Sequence, residues 1–255
     1  MKKYLKQFTF FLKLYAFLVA LKALFMSFIT KNKTFLHKGE CSYFSDGFAT
    51  THYVGFKNDR QFVKAFENAF EDVPRYFDNP LKGIEWRAHI CTWAANQARS
   101  LGGDFVECGV WYGILSRTMC NYVDFKNHPG TFFLIDSWGE IPGSHHGYKE
   151  DIFDTVQKRF KDLDNVKLIR GLVPEVLDEV KSERIAFLSI DMNGAVAERA
   201  ALEYFYDKMV PGGIIYFDDY GWDYPELRAT VDEFFLNKQE KLLHFPSGNS
   251  IVIKV

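Results

Sequence analysis

The stretch GDFVECGVWYG, residues 103–113, decides how the rest of the chain is read. Gly102 and Gly103 stop a helical pattern, the apolar run 104–110 (DFVECGV) follows, and the chain then breaks into a turn bearing Gly109, Trp111, Tyr112 and Gly113. A near-continuous apolar run closed by glycines reads as a strand buried on both faces that ends in a glycine turn. In open α/β sheets ligands bind beyond such carboxyl ends, near the point where strand order reverses. One residue of the run is out of keeping with it, the acid Glu107.

Working outward, Ile84, Ala88, Cys91, Ala95 and Ala98 recur at spacings of four and three, one face of a helix that the glycine pair ends. Downstream, strand-like runs at 131–136, 166–171, 185–192 and 212–219 alternate with helical stretches at 113–123, 148–162, 174–181 and 196–209. Strands of this kind separated by helices mean a parallel sheet covered on both faces. The end differs: KLLHFP (241–246) and NSIVIKV (249–255) flank Ser247-Gly248, a hairpin signal. The predicted fold class is therefore α/β, Rossmann-like in the manner of class I methyltransferases. It has a central, mostly parallel seven-stranded sheet, a C-terminal antiparallel hairpin strand and helices on both faces. The organisation read from the chain is a basic apolar extension at 1–39, a linker or lid at 40–82 with little periodicity, and the main domain at 83–255.

The length of 255 residues, with 47% apolar and 25% charged residues, suits one large domain with an appendage. Four scattered cysteines without a CxxC pair read as reduced thiols in a cytoplasmic protein and exclude a zinc-finger spacing. Residues 1–39 hold eight lysines and no acid, which leaves 23 basic against 33 acidic residues in the body. Nothing in that acidic body reads as a nucleic-acid footprint. The apolar stretch 4–29 (YLKQFTFFLKLYAFLVALKALFMSFI) admits a membrane-surface helix, a packing or dimerisation extension, or a true span or signal. Membrane association and a homo-oligomer thus stay open.

A dinucleotide site would place G-x-G-x-x-G at 107–112, and its first glycine position is here Glu107. A carboxylate there repels a phosphate and attracts an amine; S-adenosylmethionine (SAM) offers an ammonium, a sulfonium and no phosphate. The expected cofactor set is Glu107, Gly109, Val110, Trp111 and Gly113, with Asp136 and Ser137 after the second strand and Gly171 after the third. Asp136 ends FLIDSW, where acids of nucleoside sites accept ribose hydroxyls. Asp191 ends FLSIDMN, and Asp218 and Asp219 end IIYFDDYG. Three carboxylates at neighbouring strand ends repel unless a cation lies between them, and oxygen ligands suit Mg2+ or Ca2+. Candidate general bases are His145 and His146, in the Gly-rich loop GEIPGSHHGYKE, and Asp191. Trp111, Trp138, Tyr220 and Trp222 are candidates for an apolar, sugar-stacking wall.

GDFVECGVWYG, FLIDSWGEIP and FLSIDMNGAVAERAALEYFYDKMVPGGIIYFDDYG together resemble the macrocin/mycinamicin O-methyltransferase family over about residues 83–255. The resemblance implies SAM- and Mg2+-dependent methylation of a sugar hydroxyl. It places Glu107 and Gly109 at SAM, Asp136 at its ribose, and Asp191, Asp218 and Asp219 at the metal. The chain departs from the family pattern at Asn193 and Gly194, where an Asp and a Tyr are usual. Asn193 still offers a carbonyl oxygen, without charge. Three functions follow: a metal-assisted O-methyltransferase for a sugar or polyol in a small molecule or glycan; a metal-independent methyltransferase for another small acceptor; and a degenerate, non-enzymatic fold used for membrane or partner binding.

Overall fold

A computed structural model of the chain describes residues 41–71, 73, 83–139, 148 and 150–255. In chain order the elements are β1 (Tyr43–Ser45), β2 (Phe48–Thr50), α1 (Arg60–Asn68), α2 (Glu85–Ala98), β3 (Asp104–Cys108), α3 (Ile114–Val123) and β4 (Phe132–Asp136). There follow α4 (Phe153–Phe160), β5 (Val166–Arg170), β6 (Ile185–Ile190), α5 (Ala195–Phe205), β7 (Met209–Phe217), α6 (Pro225–Phe235), β8 (Leu243–His244) and β9 (Ser250–Ile253). The apolar leader 4–29 lies outside the described residues. Among those described, no helix is long and apolar enough to cross a membrane.

Seven strands form one sheet in the order β5-β4-β3-β6-β7-β9-β8. β3 through β7 pair in parallel, and β9 joins β7 antiparallel with β8 beside it. This is the architecture expected from the strand runs and the terminal hairpin. Strand order reverses between β3 and β6, so their carboxyl ends flank the crevice of an open α/β sheet.

Side chains alternate across the sheet with the period of two that a strand imposes. Phe105, Leu134, Phe187 and Tyr216 pack with buried residues of α1 to α4. Val106, Ile135, Leu188 and Ile215 pack with those of α5 and α6. Glu107 has the parity of Phe105 and so turns towards α2 and α3.

Several bounds differ from the sequence reading. The first strand stops at Cys108 because Gly109 turns with φ +87°. The stretch 174–181 forms only a 3-10 turn, Leu177–Glu179. With Asp178, Glu179 and Glu175 it offers too narrow an apolar stripe for a longer helix. The region read as a linker or lid carries, in its described part, the β1-β2 hairpin and α1. It is held by aromatic contacts rather than by periodicity: Phe56 packs edge-on against Trp86 of α2 at 4.8 Å and stacks on His89 at 4.7 Å.

Arg159 of α4 ties this N-terminal layer to the glycine turn. It is 7% exposed and donates to the carbonyls of Tyr112 (2.7 Å) and Ala69 (2.5 Å). Replacing it by Met strips two buried carbonyls of a charged donor, at about 1.5–3 kcal/mol for each bond. Urea unfolding of Arg159→Met is expected to show a loss of roughly 3 kcal/mol or more. A loss under about 0.5 kcal/mol, the range of an ordinary surface substitution, contradicts this role.

Candidate active site

A cavity of about 1190 Å³ opens over the carboxyl ends of the parallel strands. That exceeds the usual range for one small ligand, about 300–1,000 Å³, and leaves space for a nucleoside and a second molecule. Its wall includes Gly109, Val110 and Trp111 after β3, Asp136 and Ser137 after β4, and Gly171 after β5. The floor carries Asp191 after β6, and Asp218 and Asp219 after β7. The sequence had signalled all nine.

Gly109 is a glycine for a reason other than ligand approach. A Cβ there would fall on the Asp191 carbonyl, and its φ of +87° is one that side chains rarely adopt. The missing side chain brings the ends of β3 and β6 together, where the Asp191 amide donates to the Cys108 carbonyl at 2.8 Å. Gly113, expected in the cofactor set, is absent from the cavity wall. A Cβ on it would meet the Phe160 ring, and its φ of +69° starts α3, so its role is helix packing.

Glu107 also departs from its expected place. It is 2% exposed, does not line the cavity, and accepts a hydrogen bond from Ser116 Oγ of α3. The alternation of β3 turns the carboxyl under the floor rather than into the crevice. Burial is the main cause that pushes it up to about 8; Asp218 and Asp136 add to the rise and Ser116 opposes it.

Asp136 binds the glycine turn together. Its Oδ2 accepts from the amides of Val110 (2.7 Å) and Trp111 (2.9 Å) and from the Tyr148 hydroxyl (2.6 Å), while Oδ1 accepts from the Trp138 amide at 3.1 Å. Trp138 itself is a core residue, fully buried, with Nε1 donating to the Trp111 carbonyl at 2.9 Å. Tyr220 is likewise buried and donates to Asp232. Of the four aromatics proposed for a sugar-stacking wall, Trp111 lines the cavity. His145 and His146 lie outside the described residues.

The acids converge. One carboxylate oxygen each from Asp191, Asp218 and Asp219 lie within 4.8 Å of one another. Burial, then Asp218 and Asp219, push the Asp191 carboxyl well above the usual carboxylate range. Burial, then Asp218, push Asp219 up to about 7. Asp218 is fixed from several sides: Tyr216 Oη donates to it at 2.5 Å, Asn249 Nδ2 at 3.1 Å, and the Arg87 guanidinium pairs with its other oxygen. Arg87 lines the cavity and was missed in the sequence. Its signal was there: it stands one turn before Cys91 on the face of α2 that is otherwise apolar.

A hard cation fits this donor set, three carboxylate oxygens in a nearly dry floor. Asn193, at the position that departs from the family pattern, also lines the cavity, with φ +53°. Beside the floor Glu198, 4% exposed, is pushed up to about 7 by burial and then by Asp219, against backbone amides of Met192 and Asn193.

Glu107 and Glu198 both keep in the folded chain a proton that the unfolded chain releases above its ordinary value of 4.5. The folded state then binds more protons, so stability falls as pH rises from about 4.5 to 8. Melting temperature in EDTA is expected to drop across that range, and to drop less steeply for Glu107→Gln. A wild-type melting temperature that rises towards pH 8 contradicts the buried, proton-holding state of these acids.

Comparison with known proteins bears on the whole site. The sequence profile of the Macrocin-O-methyltransferase (TylF) family matches residues 88–244. The mycinamicin III 3''-O-methyltransferase of Micromonospora griseorubida is 26% identical over 210 residues, 72% of this chain and 80% of its own. Among solved structures, the O-methyltransferase NovP superposes with a TM-score of 0.56 at 21% identity, over 66% of this chain and 79% of NovP. CalS11, a TDP-rhamnose 3'-O-methyltransferase, superposes with a TM-score of 0.51 at 14% identity, over 79% and 96%. The two superpositions carry the fold, and the profile, spanning the glycine turn and all three floor acids, carries the family. The chain belongs to the Macrocin-O-methyltransferase (TylF) family.

Proposed function

We propose that the chain is a SAM-dependent, Mg2+-assisted O-methyltransferase acting on a hydroxyl of a sugar or polyol. The observation that carries this reading is the triad Asp191, Asp218 and Asp219 meeting on the floor of a cavity large enough for two ligands, in a chain of this family. The names of its relatives, a mycinamicin methyltransferase and a TDP-rhamnose methyltransferase, support a glycosidic acceptor.

In this reading the turn Gly109–Trp111, Asp136, Ser137 and Gly171 hold SAM along the cavity wall. Asp136 orients the turn through its two amide bonds and stands on the cavity wall where the ribose would lie. Because Glu107 lies under the floor, the SAM ammonium is not assigned to it. Asp191, Asp218 and Asp219 would hold the divalent cation. When bound, such a cation binds an acceptor hydroxyl and lowers its pKa. The hydroxyl proton passes to Asp191, or to His145 or His146. Most of the rate enhancement is positioning, the donor and acceptor atoms being held in line.

The test is turnover of the purified chain with SAM and a panel of neutral glycosides, read as a methyl mass increment. Asp219→Asn is the informative variant, since Asp219 carries fewer structural bonds than Asp218. Its kcat/KM is expected to fall by about 10²-fold or more, with S-adenosylhomocysteine affinity within about threefold of wild type. Full activity in EDTA would remove the metal and leave the transferase. No detectable S-adenosylhomocysteine binding would remove the transferase.

A further inference from the structure

The β1-β2 hairpin does more than pack against α2. Its turn, Asp46-Gly47, has φ +54° and +70°, and aims the Asp46 carboxylate at Arg87. Arg87 Nε donates to Asp46 Oδ2 at 2.7 Å and Nη2 to Oδ1 at 3.0 Å, a two-pronged pair. The third nitrogen, Nη1, points the other way. It pairs with Asp218 and stands 3.7 Å from Asp219 Oδ1. The guanidinium also lies 5.0 Å from the ring of Trp222, which limits its sideways movement. The four side chains are nearly dry: Arg87 is 14% exposed, Asp46 8%, Asp218 3% and Asp219 11%.

One guanidinium is therefore shared between an acid outside the triad and two acids inside it. Charges this close and this dry interact strongly, and a second cation entering the triad meets Nη1 as a like charge. Two of the three contacting nitrogens already belong to Asp46, so Arg87 has a second anion on which to rest.

We propose that Arg87 is a tethered counter-cation of the acid triad and that Asp46 sets how strongly it competes there. These two are positioning residues for the divalent cation that the triad holds. The inference rests on the metal reading of the proposed function. Arg87 weakens cation binding by its charge, and Asp46 strengthens it by drawing that charge away. By linkage, an occupied triad tightens the Asp46–Arg87 pair and with it the hairpin.

The two substitutions are thus expected to act in opposite directions, which a merely structural role does not produce. The experiment uses the full chain, stripped with EDTA and desalted, and titrates it with Mn2+ while free Mn2+ is read by electron paramagnetic resonance. Arg87→Gln is expected to tighten Mn2+ binding by roughly tenfold, and Asp46→Asn to weaken it by roughly threefold. In the double variant the Asp46→Asn effect should shrink to less than twofold, because its carrier is gone. Should Arg87→Gln fail to fold without metal, Asp46→Asn still decides. Both single variants within twofold of wild type, or a tighter Asp46→Asn, overturn the inference alone. A wild-type chain that binds no Mn2+ at millimolar concentration overturns the metal reading and this inference with it.

Discussion

Like-charge repulsion at the carboxyl edge of the sheet is the constraint around which the rest is arranged. Parallel strands β6 and β7 end side by side, so Asp191, Asp218 and Asp219 share one small volume whatever the loops do. Burial raises the cost of ionising them together. Around them the structure supplies donors and one charge: Tyr216, Asn249 and Arg87 on Asp218, with Arg87 anchored in turn by Asp46. Even so, the Asp191 and Asp219 carboxyls stay raised, so the compensation is incomplete. A floor built in this way stores an attraction for a further cation.

The second ordering feature is the glycine turn. Gly109 lets the ends of β3 and β6 touch, Asp136 gathers the next two amides, and Arg159 holds the Tyr112 carbonyl from behind. These contacts come from β6, β4 and α4, so the cavity wall is set by the surrounding elements rather than by the turn alone. Glu107 contributes from below through Ser116, joining β3 to α3.

Much of this was legible in the sequence, for identifiable reasons. Strands buried on both faces read as apolar runs, and a carboxylate that closes such a run marks its carboxyl end; hence Asp136, Asp191, Asp218 and Asp219 were found. Glu107 was found for its chemistry and misplaced, because a strand pattern tells which residues alternate but not which face lies under a crevice. Trp138 followed an acid at a strand end as a wall residue would, yet its φ of +46° swings the ring into the core. The β1-β2 hairpin and α1 escaped notice because what ties them down is aromatic contact with α2, distant in sequence: Tyr43 and Phe48 pack edge-on against Trp86, and Phe62 edge-on against His89. Arg87 was hidden in plain view, a lone charge within an apolar helical stripe whose partners arise from β7 and the hairpin turn.

The central claim is that the crevice above β3, β4, β6 and β7 is where methyl donor, cation and acceptor meet. A crystal structure of the chain grown with S-adenosylhomocysteine and Mg2+ tests it most directly. The account predicts the nucleoside against Gly109–Trp111, with its ribose at Asp136, and an ion touching Asp191, Asp218 and Asp219. A nucleoside bound elsewhere, or a well-ordered nucleoside with no ion among the three carboxylates, would contradict it.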